Sequence, residues 1–304
     1  MTASSEDKKL ASAFNALGPL AGLLRRGPRQ AAVPATTEGR ETMPVTIVGD
    51  SHVELFEHLA TEPLELPDGR IVDANVLAVK GATIRGFGRK KSTLDVRRNS
   101  LGAIRPIDQA VVLCYGQVDI ELGYYYRLHV KREELEYEAF AQELADSYVE
   151  RIAALPLVAT PILKGVNLSV LTHSRRRAII FTSQILFETP DDAEKREALV
   201  AELEEVFPEA DELDRRHRIF NAYLKAACLR QGVEYFDFLE ATTEPISGRI
   251  RRSYVPGGNN HHALKKPDLL AIVRRSLASA LMCASIGRSV TQQSRKLDTV
   301  PQND

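Results

Sequence analysis

Apolar and polar positions alternate along the chain on two periods. Val45–Val48, Asn75–Val79, Ala110–Tyr115, Ala178–Ser183 and Val233–Phe238 are short runs of the length and composition expected for strands buried on both faces. Between them the period lengthens. Phe140, Leu144, Tyr148 and Ile152 recur every four residues, and Leu213, Phe220, Leu224 and Ala227 or Cys228 share a helical face that Gly232 can end. A last helix is predicted from near Pro267, carrying Leu270, Val273, Leu277 and Leu281. Strand–helix alternation of this kind predicts an α/β fold with a parallel sheet covered by helices on both sides. In such sheets chemistry collects at the carboxyl ends of the strands.

The pattern fades at both ends. Residues 1–43 are rich in Ala, Gly, Pro, Thr and Arg without a sustained period, and residues 288–304 are polar, so both are expected to be flexible. The remainder, 44–287, fits one domain. Over the 304 residues, 40 Lys+Arg against 41 Asp+Glu give a net charge of −1, which argues against nucleic-acid binding by bulk charge. With 44% hydrophobic and 27% charged residues the chain can bury a large core. Its longest uncharged run, Leu10 to Leu24, contains Asn15, Gly18 and Pro19 and falls short of the roughly 20 apolar residues of a membrane span. Glu6 and Asp7 precede it, unlike a secretory signal, so a cytoplasmic location and no membrane span are expected. Cys114, Cys228 and Cys283 are too far apart for a zinc motif and read as buried thiols.

Candidate chemistry concentrates in two places. The apolar strand Val45-Thr46-Ile47-Val48 runs straight into Gly49-Asp50-Ser51-His52. A serine at a strand-to-helix junction projects from the carboxyl edge of the sheet, with its N–H near a helix start that favours negative charge. That is a seat for a nucleophile, although Asp50 and Ser51 also read as caps for a helix beginning near Val53. Far along the chain, Asn259-Asn260-His261-His262 lies between Gly257-Gly258 and the last helix. A serine hydroxyl needs a general base, usually His, and that base needs an orienting partner. Taken alone, the histidine pair reads as a loop or interface feature rather than a base. The basic groups Arg85, Arg89, Lys90, Lys91, Arg97, Arg98 and Arg249, Arg251, Arg252 read as solvated surface, or as seats for an anionic substrate group. Tyr124, Tyr125 and Tyr126 read as packing under the next helix, or as an aromatic wall.

Taken together, the blocks from about Val45 to Leu277 resemble the SGNH hydrolase superfamily of GDSL-like esterases and lipases. The resemblance implies a flavodoxin-like three-layer α/β/α sandwich with a mainly parallel five-stranded sheet, 44–287 being the hydrolase-like domain. It implies Ser51 as nucleophile and as one oxyanion donor through its own N–H. The second donor is a glycine of the loop Lys80–Gly88, Gly81 or Gly86. The third block, Gly116-Gln117-Val118-Asp119, has Val118 where the family has an oxyanion-binding Asn, with Gln117 as a substitute amide. Losing one such donor costs about 3–4 kcal/mol. The last block, Asp-x-x-His in the family, selects His262 over His261 as base, with Asn259 in the Asp position. Asn orients an imidazole without offsetting its charge, and a comparable exchange in a serine protease costs about 10⁴ in turnover.

Asp50, His52 and Asp119 are expected to brace these loops, with His261 in support, and Asp237 to cap the turn after its strand. Asp50-x-His52 and Asn260-His261 superficially resemble pieces of metallophosphoesterases, but the bridging Asp block and a downstream Gly-His-x-His are missing. The ester-hydrolase chemistry that the resemblance implies needs no metal or organic cofactor. The implied activity is a serine-dependent ester hydrolase acting through an acyl-enzyme, on a small-molecule or glycan ester. O-acylated carbohydrate is one candidate substrate. The alternative is a catalytically weak or inactive protein of the same fold that binds glycan or assists polysaccharide assembly.

Overall fold

β1 (Thr42–Gly49) occupies the centre of the sheet, and its side chains divide the core in two. Val48 joins one apolar cluster with Val111, Leu113 and Leu163, whereas Val45 and Ile47 join the other with Val112 and Ile162. Successive residues of a strand point to opposite faces, so each run feeds both layers. On the first face lie helices Tyr137–Ala153, Arg175–Leu186, Ala193–Val206 and Ala210–Gln231; on the second lie the 3₁₀ segment Ser51–Ala60 and helix Pro267–Leu297. The result is a three-layer α/β/α sandwich. This computed structural model describes residues 39–89, 92, 94–187, 192–258 and 260–297.

The other strands are β2 (Leu64–Glu65), β3 (Ile71–Ala78), β4 (Ala110–Cys114), β5 (Thr160–Lys164) and β6 (Glu234–Phe236). They form a six-stranded sheet ordered β2-β3-β1-β4-β5-β6, in which only the two-residue β2 runs antiparallel. Setting β2 aside, the five parallel strands follow the flavodoxin-like order 2-1-3-4-5. The connections diverge between β1 and β4, so the crevice beyond those two carboxyl ends is the topological switch point.

One expectation needs correction. Ala178–Ser183 is not a strand; it lies inside helix Arg175–Leu186, capped by the Ser174 side chain, which accepts from the Arg177 N–H. A short apolar run does not declare its period, and here a cap upstream and continued burial at Ile185 and Leu186 select the helix. The fourth parallel strand is instead Thr160–Lys164, which has only five residues and contains Pro161, a residue without an N–H. The tail expected to be flexible from 288 is helical to Leu297. Within that helix Pro267–Ile286, 20 residues of mean hydropathy 1.6, is long and apolar enough by composition to cross a membrane. Leu269, Val273, Leu277 and Leu281 nevertheless bury in the second core. The predicted helices over Phe140–Ile152 and Leu213–Cys228 are present, the latter ended by Gly232 at φ +63°.

β1 and β4 leave no room for a side chain at Gly49, where a Cβ would fall 2.2 Å from the Cys114 carbonyl oxygen. The obstacle is backbone, so the strands would have to separate. Gly49→Ala is expected to lower the free energy of unfolding by about 1–3 kcal/mol or more, measured by urea titration. An unchanged midpoint would show that the strands are not held this close.

Candidate active site

The turn after Gly49 is fixed by main-chain bonds. The Asp50 N–H donates to the Cys114 carbonyl at 3.1 Å and the Gly49 carbonyl accepts from the Val79 N–H at 2.8 Å, tying the end of β1 to both neighbours. The Asp50 carboxylate then caps the next segment: Oδ1 accepts the His52 backbone N–H at 2.9 Å and lies 3.1 Å from His52 Nδ1. Asp50 is thus both cap and brace. Ser51, 9% exposed, lies on the wall of a cavity of about 500 Å³ at the switch point.

The same cavity is bordered by His52, Gly81, Val118, His261 and His262. The ring centroid of His52 lies 4.6 Å from that of His262 and 5.4 Å from that of His261, and those two are 4.0 Å apart. The loop carrying the pair is anchored from several sides. Arg177 donates to the Pro256 carbonyl at 3.1 Å and to the Asn260 carbonyl, the His262 N–H donates to Asn260 Oδ1 at 2.9 Å, and Phe181 packs 4.7 Å from His261. Asn259, the expected partner of His262, lies outside the described residues, as do Lys90 and Lys91. The two far-apart segments therefore border one cavity. The structure adds His52, read from sequence as a brace, to the cluster.

The three imidazoles differ electrically. For His52 burial disfavours the charged ring, but the hydrogen bond and charge of Asp50 and the charge of Glu121 outweigh it, raising the pKa. Burial and then the charge of His52 push His261 down to about 4. Burial, His52 and His261 push His262 down to about 2. His261 and His262 are accordingly neutral at neutral pH.

Not every expected oxyanion donor is available. The Gly86 N–H is already bonded to Thr83 Oγ1 at 2.8 Å, as part of the cap of helix Ile84–Gly88. Gln117 is buried, and its amide nitrogen donates to Glu121 Oε1 at 2.6 Å and to the Asn167 carbonyl at 3.1 Å. Both of its amide hydrogens are committed, and Oε1 accepts the Asn167 N–H at 2.9 Å. Gln117 braces a neighbouring loop rather than facing the cavity as a donor. Gly81, at φ +72° in a turn closed by Ala82 N–H to the Val79 carbonyl, borders the cavity. Ser51 and Gly81 remain as the candidate donors that border the cavity.

Asp119 acts as the expected brace: Oδ2 accepts the Ile84 N–H at 2.7 Å and so holds the glycine loop. Asp237 caps its turn through the Leu239 N–H at 3.0 Å. Tyr124 and Tyr125 pack among Tyr137, Phe140 and Phe207, the blander of the two readings. Arg85 and Arg249 pair with Glu143 and Asp211. The cations bordering the cavity are Lys80 and Lys265.

Sequence reasoning missed two charged groups. Glu121, one turn beyond Gln117, is buried 3.3 Å from His217 Nε2; burial alone would raise its pKa, but His217, His52 and the Gln117 bond bring it to about 2. Lys164 ends β5 fully buried, donating to the Gly165 carbonyl at 2.7 Å and Asn167 Oδ1 at 2.9 Å, and burial lowers its pKa. A charged residue closing a buried strand, as in Pro161-Ile162-Leu163-Lys164, was the available signal.

No family model and no curated protein matches the chain. Among solved structures, a GDSL-like lipase from Bacteroides thetaiotaomicron is 13% identical at a TM-score of 0.40, covering 91% of this chain and 98% of that one. An acetyl xylan esterase from Geobacillus stearothermophilus is 13% identical at a TM-score of 0.40, covering 79% and 95%. The OSK domain of Drosophila Oskar is 12% identical at a TM-score of 0.40, covering 77% and 86%. Similarities of this size define neither a family nor an activity for the chain.

Burial, only partly offset by the Ile84 and Arg85 N–H bonds and by Arg85, raises the Asp119 pKa from 3.8 to about 7. A raised carboxyl pKa means that the native state holds the proton more tightly than the unfolded chain. Its contribution to stability is full below pH 3.8 and is lost as pH rises through about 7. Asp119→Asn should therefore gain stability relative to the parent as pH rises across that window, measured as Tm against pH. Parallel curves would contradict the assignment.

Proposed function

We propose that the protein is a serine-dependent ester hydrolase with Ser51 as nucleophile. The observation that carries this reading is the convergence of Ser51, three imidazoles and the Gly81 turn on one cavity at the switch point of the sheet. Ser51 Oγ would attack the ester carbonyl while a neutral imidazole accepts its proton. The N–H groups of Ser51 and Gly81 would stabilise the oxyanion. Collapse would expel the alcohol, protonated by the same imidazole, and leave an acyl group on Ser51. A water activated by that imidazole would then release the acid and restore the serine.

The spacing from Asn259 selects His262 as the base. One specific observation favours His52 as an alternative base: Asp50 orients its ring through Nδ1 and raises its basicity, whereas His262 is only weakly basic. With Val118 in the wall and Gln117 committed elsewhere, the oxyanion site has two backbone donors. The absent third donor predicts turnover about 10²- to 10³-fold below a site with a full set.

Val118, Leu122, Phe181 and Ile185 line the cavity with apolar surface suited to an acyl group. Glu54, Lys80 and Lys265 line it with polar groups suited to a hydroxylated alcohol. This division supports an O-acylated carbohydrate as substrate. Lys80 and Lys265 are partly neutralised by Glu54 at 3.7 Å and Glu57 at 2.9 Å, so a strongly acidic glycan is not required.

Ser51→Ala is expected to reduce p-nitrophenyl acetate hydrolysis by at least about 10³-fold with an unchanged far-UV spectrum. Hydrolysis that persists in this variant would refute the nucleophile. His262→Ala and His52→Ala separate the bases: the larger loss of kcat identifies the proton acceptor, and equal, negligible losses would refute imidazole catalysis. Binding of glycan without any turnover would support the scaffold reading instead.

A further inference from the structure

We propose that His52, His261 and His262 form a binding site for one first-row divalent cation of the zinc class, with a coordination position open to the cavity. The inference goes beyond the esterase reading and does not rest on it. One donor atom from each ring lies within 4.8 Å of the others. A tetrahedral ion with metal–nitrogen bonds of about 2.0–2.1 Å needs donors about 3.4 Å apart. The rings must therefore close by no more than about 1.4 Å, a movement within reach of side-chain rotation in a loop.

Three features distinguish this cluster from a packing of rings. His52 already has the support that metal-bound histidines require: its Nδ1 is held 3.1 Å from Asp50 Oδ1, leaving Nε2 as the ligand atom. Asp50 Oδ2 is buried without a hydrogen-bond partner, an anionic atom that a cation nearby would help to stabilise. His261 and His262 sit on a segment already anchored by Arg177 and Asn260, so less order remains to be imposed on binding.

The donor set decides the ion. Three imidazoles without thiolate suit Zn²⁺, Co²⁺, Ni²⁺ or Cu²⁺ and disfavour Mg²⁺ and Ca²⁺, which take oxygen ligands. Among neighbouring charges, Asp50 and Glu121 favour a cation, whereas Lys164 and Lys80 oppose it. A fourth ligand, water or a substrate oxygen, would enter from the cavity that Ser51 borders. The ion would take the imidazole lone pairs that proton transfer from Ser51 requires, so metal occupancy and serine chemistry would exclude one another.

The test is titration of Co²⁺ into the full chain after chelator treatment, followed by its visible ligand-field absorption, with Zn²⁺ as competitor. The expected result is one equivalent bound with the intense spectrum of a tetrahedral ion, displaced by Zn²⁺. His261→Ala and His262→Ala should each raise Kd at least about tenfold, and Asp50→Asn by about 10- to 100-fold. Ser51→Ala should leave Kd unchanged whether or not it abolishes ester hydrolysis, so failure of one proposal is distinguishable from failure of the other. The loop substitutions lie outside regular secondary structure, and far-UV spectra check that they stay folded. Absence of a ligand-field spectrum, or an unchanged Kd in the His261→Ala/His262→Ala double variant, would overturn the site.

Discussion

The close approach of β1 and β4 at Gly49 is the constraint on which the candidate site depends. With no side chain at that position, the Asp50 N–H can reach the Cys114 carbonyl, and the chain leaves the sheet at a fixed angle. The fixed exit turns the Asp50 carboxylate inward onto the backbone and ring of His52, two residues on. Ser51, between them, is left on the cavity wall. A wider gap between the strands would release all three residues together, since a single main-chain geometry aims them.

Electrostatics then give three chemically similar side chains unequal roles. Asp50 and Glu121 oppose the desolvation of His52 and raise its pKa, whereas burial and the nearness of His52 lower those of His261 and His262. Glu121 is itself held anionic by His217 and Gln117. The buried network behind the cavity therefore sets the protonation of the cluster in front of it. Buried polar groups of this kind are stable only when their bonds are nearly all made, which accounts for the commitment of both Gln117 amide hydrogens.

Much of this arrangement was legible in the sequence, for identifiable reasons. Long periodic helices such as Phe140–Ile152, and the apolar run ending at Gly49-Asp50-Ser51, declare themselves because their patterns extend over several turns or end in special residues. Thr160–Lys164 did not, because a five-residue strand containing proline is weaker evidence than the β-branched Ala178–Ser183 run, which the Ser174 cap turns into a helix. At the site, order along the chain pointed to Ser51 and His262, which line one cavity. It could not show that the Gly86 amide is taken by Thr83 or that Gln117 turns toward Asn167, because those facts belong to three-dimensional hydrogen bonding. His52 was underrated for a related reason: its importance comes from residues more than two hundred positions away.

The account is tested most directly by the reactivity of one hydroxyl. A serine activated by a neighbouring imidazole reacts with a fluorophosphonate only while the fold holds the pair together. Mass spectrometry of the folded protein should find a single phosphonyl adduct on the peptide containing Ser51, and none after unfolding in urea. An unmodified Ser51 in the folded state, or labelling that is unaffected by unfolding, would contradict the claim that the fold activates this residue.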